Sequence, residues 1–195
     1  MTSLGAVSLH FNGPLSFSPG ERSIFHCDAR TSSCVYLWTI RSAVNQRYYI
    51  HYVGEAASFA KRQRDHLVHI LGLNYGMFDP DSARQGVSKL VWRGLWRDRS
   101  ADGPGRTLAE YVQMSSIVEQ YLAALNVFVA PLDADRALRR HVEGSIAWDL
   151  RRNHPDDCAL YPADNHVGVG RTPRSMRLLI TSDLPIAGLA DSLDI

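Results

Sequence analysis

Lysine is nearly missing from this chain. Lys61 and Lys89 are the only two among 21 basic residues, so arginine carries almost all of the positive charge. Arginine can grip phosphate with two parallel hydrogen bonds, although a GC-rich genome enriches it as well. Cysteine is equally sparse. Cys27, Cys34 and Cys158 are odd in number, far apart and form no CxxC pair, which excludes a disulfide framework and a zinc site. No apolar run approaches a membrane span, and the N-terminus lacks a basic-then-apolar signal pattern, so no membrane partner and a cytoplasmic location are expected. Net charge is only +1, and no global excess announces nucleic acid or membrane. What remains is an ordinary globular composition, 45% hydrophobic and 21% charged, with 195 residues to build one cored domain over 1–195.

Residues 1–33 are rich in Gly, Ser and Pro ("NGPLSFSPGERS") and read as turns with two short strands. "CVYLWTI" (Cys34–Ile40) is β-branched and aromatic, and "YYIHYVG" (Tyr48–Gly54) follows after a short polar link. That pattern predicts an antiparallel hairpin. On period two, Tyr48, Ile50 and Tyr52 share one face of the second strand. Ser58 is placed to cap a helix whose stripe runs through Phe59, Leu67, Ile70 and Leu71. Thr107 and Glu110 form a capping-box pattern for a helix to Leu125, and "NVFVAPL" (Asn126–Leu132) is a further strand. Asp133 or Asp135 caps a helix with Leu138, Val142, Ile146 and Leu150 on one side, and "RLLIT" is a final strand. There is no internal repeat or low-complexity tract. Alternating strands and helices give the class α/β or α+β.

Several polar residues stand at suggestive places. Arg62 and His66 are four apart and share a helix face. They follow a strand ending Tyr52-Val53-Gly54, and Glu143 borders the apolar stripe of its helix. Singly, each has a plainer reading: a packing tyrosine, a turn glycine, a solvated arginine, a partly buried histidine, an exposed glutamate. Together they form a pattern. Cys34-Val35-Tyr36 and Tyr52-Val53-Gly54 sit on neighbouring strands, and Phe59, Arg62 and His66 fall at plus five, plus eight and plus twelve after Gly54. Glu143 in "HVEGSIAWDL" and Asn165 in "YPADNHVG" follow at a distance. In this the chain resembles the GIY-YIG nuclease superfamily, over 34–73 and 126–165. Cys34 replaces the first glycine, Glu55 stands where some members carry a lysine, and Asn153 rivals Asn165 as the terminal asparagine.

The resemblance implies a small central, mainly antiparallel sheet of about three strands flanked by helices, with N-terminal, middle and C-terminal elaborations. It implies hydrolysis of DNA phosphodiester bonds with Mg²⁺ or Mn²⁺ on Glu143, Arg62 stabilising phosphate charge, and a tyrosine as general base. Tyr36 is favoured as that base and Tyr52 as the group orienting water or phosphate, roles that can be exchanged. A phenol with a pKa of about 10 must be lowered by cations or relay its proton, and His66, ordinarily near 6.5, suits the relay. The insertion 74–125 is expected to select substrate. Its "KLVWRGLWRDR" interleaves Trp92 and Trp96 with Arg93, Arg97 and Arg99, although an amphipathic core element explains it equally well. Lys61, Arg93 and Arg97 are the expected substrate contacts. A restriction-type enzyme leads over a repair or toxin nuclease. A non-catalytic nucleic-acid-binding module is the alternative class, and a homodimer suits a double-strand cut.

Overall fold

Val7-Ser8-Leu9-His10-Phe11 alternates strictly, and in the computed structural model it becomes the heart of a long first strand. The structure describes residues 5–97, 102–153, 155–156, 160 and 176–195. Strand β1 (Gly5–Leu15) buries Leu9 and Phe11 and leaves Ser8 and His10 exposed. Strands β2 (Cys34–Arg41) and β3 (Tyr48–Ala56) make the expected hairpin, running antiparallel from Cys34↔Ala56 to Arg41↔Tyr48. Helix α1 (Phe59–Leu71) follows. Ser58 precedes it without a capping bond; the Phe59 N–H instead donates to the Ser32 carbonyl at 3.0 Å, tying the helix start to the loop before β2.

Strand β4 (Met77–Phe78), helix α2 (Pro80–Arg84) and strand β5 (Leu90–Trp92) form a small separate ribbon. Helix α3 (Gly103–Ala124) begins earlier than the Thr107–Glu110 pattern suggests, with a proline in its first turn, so Thr107 is buried inside the helix rather than capping it. Strand β6 (Leu125–Pro131) leads to helix α4 (Arg136–Arg152), capped by Asp135, which accepts from the Leu138 N–H at 2.7 Å. Strands β7 (Met176–Ser182), β8 (Ile186–Ala187) and β9 (Ser192–Asp194) complete the described chain. Among the described residues no helix is long and apolar enough to cross a membrane.

The expected small sheet of about three strands is overturned. The main sheet has seven strands in the order β8-β3-β2-β6-β1-β7-β9. It is mixed, because β1 with β7 and β3 with β8 run parallel while the other pairs are antiparallel. The three anticipated strands are its β3-β2-β6 portion. Gly, Pro and Ser around residues 12–20 obscured β1. Its partners are also remote, with Asn12 opposite Val129 and Gly5 opposite Met176, and local periodicity carries no trace of such pairing.

Each face of the sheet carries its own core. Cys34, Tyr36, Trp38, Val127 and Val129 pack under α1 and α3, and Val35, Leu37, Phe128 and Ala130 pack under α4. A bulge decides where the second tyrosine goes. Trp38 pairs with Tyr52 but Thr39 pairs with Ile50, so β3 holds one extra residue, His51. Tyr48 and Ile50 consequently face α4, whereas Tyr52 joins Tyr36 on the α1 side, against the strict period-two grouping.

His51 itself is buried, bonded to the Tyr121 hydroxyl of α3 at 2.8 Å, and burial lowers its pKa from 6.5 to about 4. Between those values the unfolded chain binds more protons than the folded one, so stability is full above pH 6.5 and declines as pH falls toward 4. Urea midpoints across that window are expected to drop with acid in the native protein, and His51→Gln is expected to flatten part of the slope. An unchanged slope in the variant would assign the acid sensitivity elsewhere.

Candidate active site

Tyr36 and Gly54 are cross-strand partners. Gly54 lies within β3 rather than at a turn, and its missing side chain is what makes room for the phenol. A Cβ there would overlap Cζ and Oη of Tyr36 and come within 2.8 Å of Tyr52 Cε1. The Tyr36 ring, 0% exposed, is surrounded by Tyr52 at 6.1 Å, Phe59 at 6.0 Å and His66 at 6.0 Å between centroids.

Helix α1 crosses above this spot and directs Arg62 and His66 into it. The Tyr36 hydroxyl and His66 Nε2 are 2.7 Å apart, and His66 Nδ1 lies 3.1 Å from the Tyr75 hydroxyl. Trp38 supports the imidazole with its ring at 4.8 Å and donates its own N–H to Gln63 Oε1 at 2.9 Å. Burial, then the Arg62 charge and His69, hold the His66 pKa down at about 3. The imidazole is neutral, not poised near 6.5 as the sequence suggested.

Tyr36 also departs from expectation. Burial, then neighbouring Tyr52, raises its pKa well above 10, and the opposing pull of Arg62 does not reverse the shift. Tyr52 is raised too, by burial first and the Glu143 carboxylate second. Burial works against the charge of Arg62, but electrostatic attraction to the Tyr36 oxygen first, then hydrogen bonding to it and the same two influences from Tyr52, outweigh burial and keep the guanidinium cationic. Among these groups Arg62 is the fixed charge.

Glu143 comes from α4, on the other side of the sheet, and meets this cluster at the outer edge of β3. Strand β8 covers only Tyr48 and Tyr49 of that edge, which leaves the later residues without a strand partner there among those described. The Glu143 carboxylate accepts from the backbone N–H of Glu55. Burial, then repulsion from Glu55, raises its pKa from 4.5 to about 7, against the opposing influence of Arg140 and Arg62. It makes no ion pair among the described residues.

Glu55 behaves differently. Arg139 holds it at 3.0 Å, Arg136 at 3.5 Å and Arg140 at 3.8 Å, all from the first turns of α4. Sequence reasoning passed over this cluster, although "RALRR" places the three arginines at i, i+3 and i+4 on one helix face. Tyr75, in a loop that composition does not distinguish, was passed over as well.

An open cleft of about 550 Å³ runs across the junction, walled by Glu55, Lys61, Arg62, Arg136, Arg140 and Glu143. Tyr36, Tyr52 and His66 are not on its wall; they lie behind Arg62. Arg93 and Arg97 are exposed beyond β5 and do not line it. Trp92 donates to the Leu73 carbonyl at 2.7 Å, and Trp96 packs on His69 at 4.6 Å and Tyr75 at 5.2 Å. Asn165 and Arg99 lie outside the described residues. Its rival Asn153 ends α4 and donates to Asp149 Oδ1 at 2.8 Å.

Among the described residues no three His, Cys, Asp or Glu side chains converge on a point. The donor set is one carboxylate, Glu143, partly buried and without a cationic partner. Mg²⁺ accepts such a site when waters and substrate phosphate oxygens supply its other ligands, and Mn²⁺ tolerates the same oxygen donors. The residues therefore fit a loosely held divalent ion that arrives with substrate, not a permanent cage. No protein-family model matches the chain, nor does any curated protein or solved structure.

Two outcomes are expected. Gly54→Ala places a methyl where the Tyr36 ring lies, and overpacking of this kind costs about 1–3 kcal/mol. Denaturant unfolding should show that loss together with an altered near-UV circular dichroism signal; unchanged values would mean that the ring is not confined. Glu143→Gln should stabilise the metal-free protein, and the sign is fixed by the raised carboxyl. Below pH 4.5 both folded and unfolded chains hold the proton, and the penalty for ionising Glu143 grows as pH rises to about 7. At pH 8 the variant should melt on the order of 5 °C higher than native, and at pH 4 the two should coincide. Equal melting at pH 8 would place the carboxylate in water.

Proposed function

We propose that this chain is a cytoplasmic, metal-dependent endonuclease that hydrolyses DNA phosphodiester bonds, with the chemistry of the GIY-YIG nucleases its motifs resemble. The observation that carries the proposal is the convergence of residues from four separate elements, with Arg62 and Glu143 on the wall of one arginine-rich cleft and Tyr36, Tyr52 and His66 directly behind Arg62. A core assembled for packing alone has no need to bring two phenols, a cation and an unpaired carboxylate together, since each costs free energy to bury.

Lys61, Arg136 and Arg140 on the walls suit a polyanionic backbone running along the cleft. Arg62 engages the two phenols in the free protein. An incoming phosphate is a stronger, charge-assisted acceptor, draws the guanidinium toward its non-bridging oxygens and opens the way from the cleft to the tyrosines. Glu143 is the residue that would hold a divalent cation, which when bound would supply Lewis-acid polarisation of the phosphate and support for the leaving oxygen. Tyr36, backed by His66, takes the proton of the attacking water; Tyr52 orients that water. The water oxygen forms a bond to phosphorus, the bond to the leaving sugar oxygen breaks, and that oxygen is reprotonated from solvent. A homodimer would set two such sites against the two strands of a duplex.

The second reading is a non-catalytic nucleic-acid-binding module. Full burial of Tyr36 and the neutrality of His66 favour it, because a closed, dry cluster also serves as a plain structural support. Plasmid cleavage separates the two. The native protein should nick or linearise DNA in Mg²⁺ and stop in EDTA. Arg62→Ala should lower the rate by about 10²–10³, and Glu143→Ala should abolish metal-dependent turnover while leaving DNA retention measurable. Binding without cleavage under any divalent ion would establish the module instead.

A further inference from the structure

We infer that Tyr75 is a positioning residue that completes a proton relay from Tyr36 through His66 to solvent, an inference that rests on the nuclease reading above. Three hydroxyl and imidazole groups stand in line. Tyr36 Oη is 2.7 Å from His66 Nε2, and His66 Nδ1 is 3.1 Å from Tyr75 Oη. Tyr36 is wholly buried, whereas Tyr75 is partly exposed, so the line runs from the interior outward.

Local backbone geometry builds the outer end. Leu73 adopts a left-handed conformation, φ 55°, just past α1, and the Leu73 and Asn74 N–H groups cap the helix on Ile70 and His69. That reversal folds Tyr75 back beneath α1 to reach His66, nine residues earlier. The following loop then closes over it. Gly94, at φ 85°, carries the chain past Asn74 and Tyr75 where any Cβ would collide, and the Leu95 N–H bonds to the Leu73 carbonyl at 2.9 Å. Trp96 and His69 pack on the Tyr75 ring at 5.2 and 5.4 Å and fix its direction.

The relay requires one arrangement of these protons. Arginine only donates, so Arg62 fills a lone pair on the Tyr36 oxygen; the phenol's own proton then has two acceptors within reach, Tyr52 Oη and His66 Nε2, and the relay uses the second. The imidazole then carries its single proton on Nδ1 and donates it to Tyr75. The titratable and charged groups facing His66 are Tyr36 and Tyr52 from the hairpin, Arg62 and His69 from α1, and Tyr75 itself. Asp65 acts on Tyr75 from α1.

The transfer balances without a charged imidazole. As the water oxygen bonds to phosphorus, its proton goes to Tyr36 Oη and the Tyr36 proton goes to Nε2. The Nδ1 proton passes to Tyr75 Oη, and the Tyr75 proton leaves to a solvent water. Each protein group gives one proton and receives one, and His66 ends as the Nε2–H tautomer. Burial beside Arg62 disfavours an imidazolium, and the contacts on both ring nitrogens offer a route that needs none.

Tyr75→Phe removes the outlet and keeps the ring. In the full chain with Mg²⁺ and plasmid or oligonucleotide DNA, the variant should lose about 10–100-fold in kcat with KM unchanged. The dependence of kcat on D₂O fraction should be curved in the native enzyme, with several protons in flight, and straighter in the variant. In parallel, ¹⁵N NMR of the native protein should show a neutral His66 carrying its proton on Nδ1, a readout that needs no variant to fold. Native cleavage with Tyr75→Phe at the native kcat and isotope dependence overturns the relay alone. A resting Nε2–H tautomer overturns it as well. A native protein that cleaves no DNA overturns the nuclease reading and the relay together.

Discussion

The phenol of Tyr36 lies in space that any side chain on its cross-strand partner would occupy, and much else depends on that contact. Gly54 is the partner, and with it the ring can lie flat along the hairpin and reach His66 on α1. The bulge at His51 then brings Tyr52 onto the same side. Two irregularities, one missing side chain and one extra residue, thus turn an ordinary hairpin into a platform for two phenols. Neither improves the strand as a strand; glycine weakens one and a bulge interrupts its ladder. Features that cost local regularity are most easily understood as serving a site.

The electrostatics of that platform follow from its dryness. Burial raises both phenols, lowers His66 and raises Glu143, so each of these groups is driven toward its neutral form. Arg62 is the exception and organises the rest. Glu55 contributes indirectly. By drawing Arg136, Arg139 and Arg140 to itself it keeps three cations at the rim, and by repelling Glu143 it keeps that carboxyl reluctant to ionise without a counter-ion. An acidic residue at position 55 does not leave the cleft poor in positive charge; it recruits that charge from α4.

A good part of this was legible in the sequence. The hairpin, α1, β6 and α4 are where hydrophobic periodicity places them, with Asp135 capping α4, because most of what specifies each lies within its own few residues. That Tyr36, Tyr52, Arg62, His66 and Glu143 would stand near one another was an implication of the family resemblance their motifs carry. The protonation states were not, since they depend on how much water each group loses, which spacing does not encode. The size of the sheet escaped for a related reason. Strand β1 is an alternating segment beside a Gly- and Pro-rich stretch, and its neighbours come from the far half of the chain. Arg93 and Arg97 looked like substrate contacts because tryptophans are interleaved with them, yet Trp92 bonds the Leu73 carbonyl and Trp96 lies against His69 and Tyr75.

The parallel pairing of β1 with β7 has a consequence for how the chain acquires its shape. Closing a loop that spans most of the protein is slow compared with forming a hairpin, and synthesis delivers the first strand long before the last. The hairpin and α1 can settle from neighbouring residues. Leu9 and Phe11 must wait for Phe128 and then for Leu178 and Ile180 before they are covered. On a nascent chain the first strand is therefore an apolar segment with both edges unpaired while the hairpin and α1 behind it are already taking form.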